Sequence, residues 1–477
     1  MRAWLSVCAG VAVIVGGGVA LGQPSDGDAR DEAIFGSPAD GDDADTSRED
    51  AIFGGDDSDD TRDPSAAPAT GDRETDIFGS GSDPDSGRIE LGEDPLTIGG
   101  QLYLRFASTL QEDMAFGDMP LSMPNLLDLY LDARPDDRVR GFFNGRLRFD
   151  PTVRDGQTSL FGQSVEPASV SVDQLWLKTD IARTVYLTIG QQRLKWGASR
   201  LWNPTDFVNT TRREPLSLFD ERTGAPLVKA HIPIESLGWN AYAILLLDGV
   251  ETLEDVGAAL RLEMAFDRSE FAVSSVFGKG RKTSFGLDVS AGVGEIDVTA
   301  EIALTDERDS DVFSGTLDII NGEVPTASKR DAWIARASMG ASYTFRPNDD
   351  DLMTVGVEYF YNPLGYSDAS LYPFLLAVGA LEPFYAGEHY AGLFWLVPSP
   401  GDWDDVTFTL STIGNLSDPS FVSRLDVSAQ LHTRLQLQTY AQVHYGKRGG
   451  EFRFGLDAPN IPAIPGLIDE PIEAFSV

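Results

Sequence analysis

The sequence predicts an all-β fold: a transmembrane antiparallel up-and-down β-barrel of about 18 strands, with 16 as the alternative count, preceded by a disordered tail. Three observations predict it. Between residues 96 and 457, short runs alternate apolar and polar residues at period two, the mark of strands with one apolar face. The connections between them alternate short and long, as in membrane barrels with short turns at one end and longer loops at the other. Aromatic residues gather near strand ends, where a membrane interface favours them.

The chain opens on a short basic start, Met1-Arg2, followed by an apolar, Gly-rich run from Leu5 to Leu21 and a small-x-small site at Ala20-Leu21-Gly22. Residues 1–22 therefore read as an export signal, too short and glycine-rich for a good membrane helix. Cys8 is the only cysteine and sits inside that stretch, so the exported chain is expected to have neither disulfides nor thiolate chemistry.

Residues 23–95 read as an acidic, disordered periplasmic tail. Residues 23–87 hold 20 acidic side chains against 4 arginines, a net charge of −16, too little apolar surface to offset ordering entropy. Within it Arg30–Gly36, Arg48–Gly54 and Arg73–Gly79 each end in Ile-Phe-Gly, at spacings of 18 and 25 residues, too irregular for a stacked solenoid. The pairs Ile34-Phe35, Ile52-Phe53 and Ile77-Phe78 read either as repeated docking motifs for a periplasmic partner, with avidity from multivalency, or as duplicated low-complexity sequence. Aspartate clusters at 40–45 and 56–63 lack a calcium-loop spacing.

The region 96–457 reads as the barrel. Leu127, Leu129 and Leu131 alternate with Asp128, Tyr130 and Asp132, and Ile296, Val298, Ala300, Ile302 and Leu304 with Asp297, Thr299 and Glu301. Runs of roughly 8–14 residues suit a tilted membrane strand. Both ends of the barrel are expected on the short-turn side, facing the periplasm. Phe106, Phe149, Trp176, Tyr343, Phe345, Tyr359, Tyr361, Trp395 and Tyr445 are expected in the interfacial belt. Residues 458–477 form a C-terminal extension.

The net charge of −38 argues against a nucleic-acid partner. The polar strand faces carry both signs: Arg105, Arg140, Arg146, Arg148, Lys178, Lys229, Arg261, Arg336 and Arg424 share the lumen phase with Asp128, Asp132, Asp173, Asp288, Glu301, Glu358 and Asp426. That mixture is a solvated lining, a salt-bridge lattice or a transverse field, and does not support anion selectivity. His231, His389, His432 and His444 show no ligand spacing. No enzyme, metal or cofactor is expected. In the long segment Asp368–Glu388 an apolar cluster around Phe374, Leu375 and Phe384 is expected to fold into the barrel mouth or to make an apolar surface contact. A short helix is expected over Ala377–Glu382.

The most distinctive stretch is Gly190–Asn209. The strand ending Val185–Gly190 slips phase at Gly190-Gln191, as at a bulge or strand end. Trp196-Gly197, Trp202 and Asn203-Pro204 then open a long polar connection. Gly190-x-Gln192-x-x-x-Trp196-Gly197 followed by Asn203-Pro204-x-Asp206 resembles the signature of porin-like outer-membrane barrels of Gram-negative bacteria, loosely related to alginate-export-type barrels. Gln191 stands where that family usually has Arg. The resemblance implies location in the outer membrane, among its lipid, and passage of a small hydrophilic or amphipathic solute, or a polymer, through a loop-constricted lumen. Gln192, Arg193, Lys195, Trp196, Arg200, Trp202, Asn203 and Asp206 are the constriction candidates, with Arg193, Lys195, Arg200 and Asp206 placing fixed charge. The alternative expectation is a filled barrel acting as a scaffold or exporter component, recruiting an envelope machine through the repeated tail motifs.

Overall fold

The computed structural model describes residues 6–20 (backbone only), 95–110, 114–154, 156–157, 166–217, 221–315, 323–348 and 351–453. The chain forms β1 (Ser6–Ala20), β2 (Leu96–Leu110), the two-residue β3 (Leu121–Ser122), β4 (Asn125–Asp136), β5 (Val139–Phe149), β6 (Ala168–Ile181) and β7 (Val185–Gln192). Next come β8 (Ala225–Ile234), β9 (Trp239–Leu246), β10 (Gly257–Phe266), β11 (Ser269–Phe277), β12 (Ser284–Val293) and β13 (Ile296–Asp306). A small separate hairpin, β14 (Asp311–Ser314) and β15 (Thr326–Lys329), precedes β16 (Trp333–Phe345), β17 (Met353–Tyr361) and β18 (His389–Pro398). The last strands are β19 (Val406–Asn415), β20 (Ser420–His432) and β21 (Leu435–Gly446).

Each long strand pairs antiparallel with its neighbour in the chain, from β2–β4 round to β20–β21. β1 lies between β2 and β21 and closes the ring, with Ala20 opposite Thr97 and Ser6 opposite His444. The 19-stranded sheet is thus a closed antiparallel barrel of eighteen long strands with β3 added beside β2. The total agrees with the expected number, but its distribution differs. Residues 96–457 supply one strand fewer than expected, and the stretch read as an export signal supplies the other.

β17 shows why these residues form barrel strands. Val355, Val357, Tyr359 and Tyr361 point outward, while Thr354, Gly356, Glu358 and Phe360 are buried inside. Val357 is 53% exposed and its neighbour Glu358 4%. β13 repeats the pattern, Ile302 and Leu304 outward and Glu301, Ala303 and Thr305 inward. An outward belt of Leu, Val, Ile and aromatic side chains loses nothing against hydrocarbon, and closure leaves no strand edge unpaired. Among the described residues no helix is long and apolar enough to cross a membrane; the strands cross it.

Phe106, Phe149, Tyr343, Tyr359, Tyr361 and Trp395 are exposed on the outer surface. Trp176 departs from the expected belt: it is buried inside, stacked on Phe142 at 5.3 Å between ring centroids. The cause is a bulge in β6. The β5–β6 register shifts between Asn144 and Gly145, so Asp173 and Gln174 both turn inward and every later side chain of β6 changes face.

One end of the barrel carries the connections 137–138, 182–184, 235–238, 267–268, 294–295 and 433–434. The opposite end carries 150–167, 193–224, 307–332 and 362–388. Leu96 begins at the short-turn end, opposite Ala133. Gly446 ends β21 at the other end, opposite Ser420. Arg453, the last described residue, lies beyond β21 on the long-connection side, and both chain ends fall outside the described residues.

Candidate functional site

The connection 193–224 starts from β7 and returns into β8, yet its middle is fastened across the interior to β13 and β17. Two inward carboxylates hold it. Glu358 on β17 accepts backbone N–H bonds from Arg200 (3.0 Å), Leu201 (3.0 Å) and Trp202 (2.8 Å). Glu301 on β13 accepts from Ser199 N–H (2.7 Å), Thr205 N–H (3.2 Å), Thr205 Oγ1 (2.7 Å) and Asn203 Nδ2 (3.1 Å). Seven donors converge on two buried side chains, the arrangement that makes a desolvated carboxylate tolerable. The loop crosses the interior of the barrel.

Two glycines permit that path. Gly190 has φ +125°, and a Cβ there would lie 2.2 Å from the Leu175 carbonyl oxygen. Gly197 has φ +99°, and a Cβ would meet Glu301 Oε1 at 2.6 Å. Only glycine suits either place.

The structure puts the sequence-predicted residues as follows. Gln192 is buried at the end of β7, its Nε2 3.4 Å from the Thr188 carbonyl. Arg193 is paired with Asp173 at 2.8 Å, and Lys195 is half-buried. Trp196 sits in a cluster with Leu194, Val208, Leu227, Ile244 and Leu246 on the near wall. Arg200 stacks its guanidinium 4.1 Å from the Phe394 ring centroid; burial, with Arg213 close by, brings its pKa down to about 10. Trp202 is completely buried, stacked on Phe360 (5.6 Å) and tilted against Tyr390 (5.6 Å). Asn203 also donates to the Ser199 carbonyl at 2.6 Å. Asp206 is paired with Arg222 (3.1 Å) and accepts from Asn209 (2.8 Å), and burial raises its pKa. Arg193 and Asp206 thus each carry their charge within an ion pair. The six tail residues Ile34, Phe35, Ile52, Phe53, Ile77 and Phe78 lie outside the described residues.

The second long connection interlocks with the first. Its helix α1 covers Tyr372–Ala377, five residues ahead of the expected Ala377–Glu382, because Pro373 suits the first turn and Gly379 (φ +70°) follows the helix's end. Leu371, Tyr372 and Leu375 are buried. Trp202 Nε1 donates to the Phe384 carbonyl (3.1 Å), Arg212 pairs with Glu382 (3.1 Å), and Arg212 lies 4.4 Å from the Tyr385 ring centroid.

The walls carry charge mostly in pairs. Arg146 meets Asp128 at 2.6 Å, Arg140 meets Asp132 at 2.9 Å, Arg261 meets Asp288 at 2.8 Å and Arg424 meets Asp426 at 2.8 Å. Arg105 reaches the returning limb of the loop, 2.6 Å from Glu221. Of the alternatives for the mixed lining, this arrangement is a salt-bridge lattice.

Sequence reasoning missed the cluster that seals one side of the mouth. Beyond β21, Glu451–Arg453 makes a turn whose Glu451 Oε2 accepts from Tyr390 Oη (2.5 Å) and Asn415 Nδ2 (2.8 Å). Asp418 Oδ2 accepts from Tyr372 Oη (2.9 Å) and the Glu451 N–H (2.7 Å). Polar residues dispersed over four segments give no local signal. Burial pushes the Glu451 carboxyl up to about 7 from 4.5. A carboxyl with a raised folded-state pKa binds its proton more tightly when folded, so its contribution is complete below about pH 4.5 and is lost as pH rises through about 7. Protease cleavage near Arg453 is expected to increase across that window, and Glu451→Gln to flatten the dependence. An unchanged pH profile in the variant would assign the effect to another group.

No family profile and no curated relative matches the chain. Solved structures similar to it include Pseudomonas aeruginosa OccK8 (OprE), with 9% identity and a TM-score of 0.42 over 74% of this chain and 96% of that one. Acinetobacter baumannii OccAB4 gives 8% identity and a TM-score of 0.41 over 74% and 97%. Salmonella typhi OmpF in complex with daunomycin gives 11% and 0.36 over 70% and 93%. The fold assignment stands on this chain's own strand pairing.

Proposed function

We propose that the chain is an outer-membrane channel of a Gram-negative bacterium, passing a small hydrophilic or amphipathic solute by diffusion through a lumen narrowed by loop 193–224. The observation that carries this reading is the loop itself. Two buried carboxylates fasten its backbone across the interior, which fixes one loop path there rather than merely filling space. The guanidiniums of Arg200 and Arg212 over Phe394 and Tyr385 offer both polar and apolar contact.

The scaffold reading is favoured by a different observation. Trp202, Phe360, Tyr372, Tyr390 and the Glu451 turn fill the side of the interior lined by β17–β20. Single-channel recording on the purified protein in a planar bilayer, beside a form lacking residues 23–95, separates the two. Steady current from both forms is the expected result, together with altered conductance on deleting Asn203–Asp206. Silence from both forms would overturn the channel and favour a filled barrel whose tail motifs recruit a partner.

A further inference from the structure

Between loop 193–224 and the short-turn end, part of the lumen wall is lined by rings. Tyr130 on β4, Phe142 on β5, Trp176 on β6, Tyr186 on β7, His231 on β8 and Tyr242 on β9 all share the inward phase of their strands. Phe142 lies between Tyr130 (6.1 Å between centroids) and Trp176 (5.3 Å), and His231 between Tyr186 (5.9 Å) and Tyr242 (4.7 Å). Phe142, Trp176, Tyr186, His231 and Tyr242 stand within five residues of the short-turn end of their strands, whereas loop 193–224 joins β7 and β8 at the other end. The β6 bulge supplies Trp176. Gly99 on β2 makes room for Tyr130, whose Cζ would lie 2.4 Å from a Cβ there.

Polar groups are threaded through this band. Arg140 and Lys178 are register partners on β5 and β6. The Arg140 guanidinium lies 5.5 Å from the Trp176 ring centroid, and Lys178 Nζ 5.9 Å from that of Tyr186. Arg140 is paired with Asp132, and His231 Nε2 is 2.9 Å from Asn240 Oδ1. Tyr130, Tyr186, Tyr242, Arg140 and Lys178 are half-buried and keep surface toward the lumen. At the same level β16, β17, β19, β20 and β21 turn Ser342, Thr344, Thr354, Thr409, Ser428 and Gln436 inward. These side chains are neutral, and each can both donate and accept. Thr344 and Thr354 share a bond of 2.9 Å, and Gln436 donates to Ser428 at 2.9 Å.

We propose that this band is a binding track for an uncharged saccharide, the solute that the channel passes. The inference rests on the channel reading and narrows its solute to one class. A pyranose ring has an apolar C–H face and a rim of hydroxyls that both donate and accept. The face lies on Tyr186 and Tyr242, as apolar surface lies on an aromatic ring. The rim meets the Asp132–Arg140 pair and Asn240 beside the rings, and the hydroxyls and amides of the second sector. Apolar rings with a few placed polar groups are the usual composition of a small-molecule site. An aromatic solute would stack as well but would leave those hydroxyls and amides unmatched. A carboxylate-bearing solute would have to compete with Asp132 for Arg140.

The test uses the full chain, purified in detergent, with cellotriose as the probe. Equilibrium dialysis reads binding, and single-channel recording in a planar bilayer reads interruption of the current by the same sugar. The proposal expects both, with Tyr186→Ala and Tyr242→Ala each weakening binding roughly three- to tenfold and Tyr186→Phe leaving it near the wild-type value. Steady current with neither binding nor interruption would overturn the track and leave the channel standing. Binding unchanged in both alanine variants would place the sugar elsewhere and overturn it too. Indole bound more tightly than cellotriose would overturn it in favour of an aromatic solute. Ring-dependent binding without any current would uphold the track and overturn the channel reading instead. The wild-type dialysis decides even where an alanine variant folds poorly.

Discussion

Glu358→Ala is expected to destabilise the protein by about 3–5 kcal/mol and to raise its conductance. The carboxylate is 4% exposed and accepts three consecutive backbone N–H groups from Arg200, Leu201 and Trp202. Alanine leaves those donors buried without an acceptor, and each unmet donor costs about 1–3 kcal/mol unless the loop lifts away to find water. Lifting away enlarges the passage. Glu358→Gln keeps one acceptor oxygen and should cost less, about 1–2 kcal/mol. Unfolding midpoints in urea and single-channel conductance check both effects. A destabilised variant with unchanged conductance would show that loop 193–224 is not the narrowest point.

Trp202→Ala is expected to cost about 3–5 kcal/mol, as for a large buried aromatic whose cavity cannot fully collapse. Trp202 is 0% exposed, stacked on Phe360, tilted against Tyr390, and bonded through Nε1 to the Phe384 carbonyl of the second long connection. Its loss should therefore loosen two loops at once. Limited proteolysis should open sites in both 193–224 and 362–388. A double-mutant cycle with Phe360→Leu should give a coupling of about 0.5–1.5 kcal/mol. Cleavage confined to 193–224, with no coupling, would mean the two connections are held independently.

Part of this site was legible beforehand. The slip at Gly190-Gln191 and the density of Trp196, Gly197, Trp202 and Asn203 marked loop 193–224 as the unusual connection, and Glu301 and Glu358 were already in the lumen phase. What could not be read was that these two acids hold the loop. Their partners are chiefly backbone N–H groups, which every residue except proline carries, so no side-chain pattern announces them. Glu451, Asp418, Asn415, Tyr372 and Tyr390 escaped for a related reason: they meet only because four segments converge.

By itself the sequence determined the class of fold, because strand periodicity and the lengths of connections are local quantities. Alternation of Val355, Val357 and Tyr359 with Thr354, Glu358 and Phe360 needs no partner to be recognised. The tertiary structure decided what depends on register and on closure. One inserted residue at Asp173 turned Trp176 from the lipid face to the interior, since strand faces exchange with each single-residue shift. Which strand closes the ring follows from the direction of β21 relative to β2. Closure joins residues at opposite ends of the chain, and no local pattern carries that pairing.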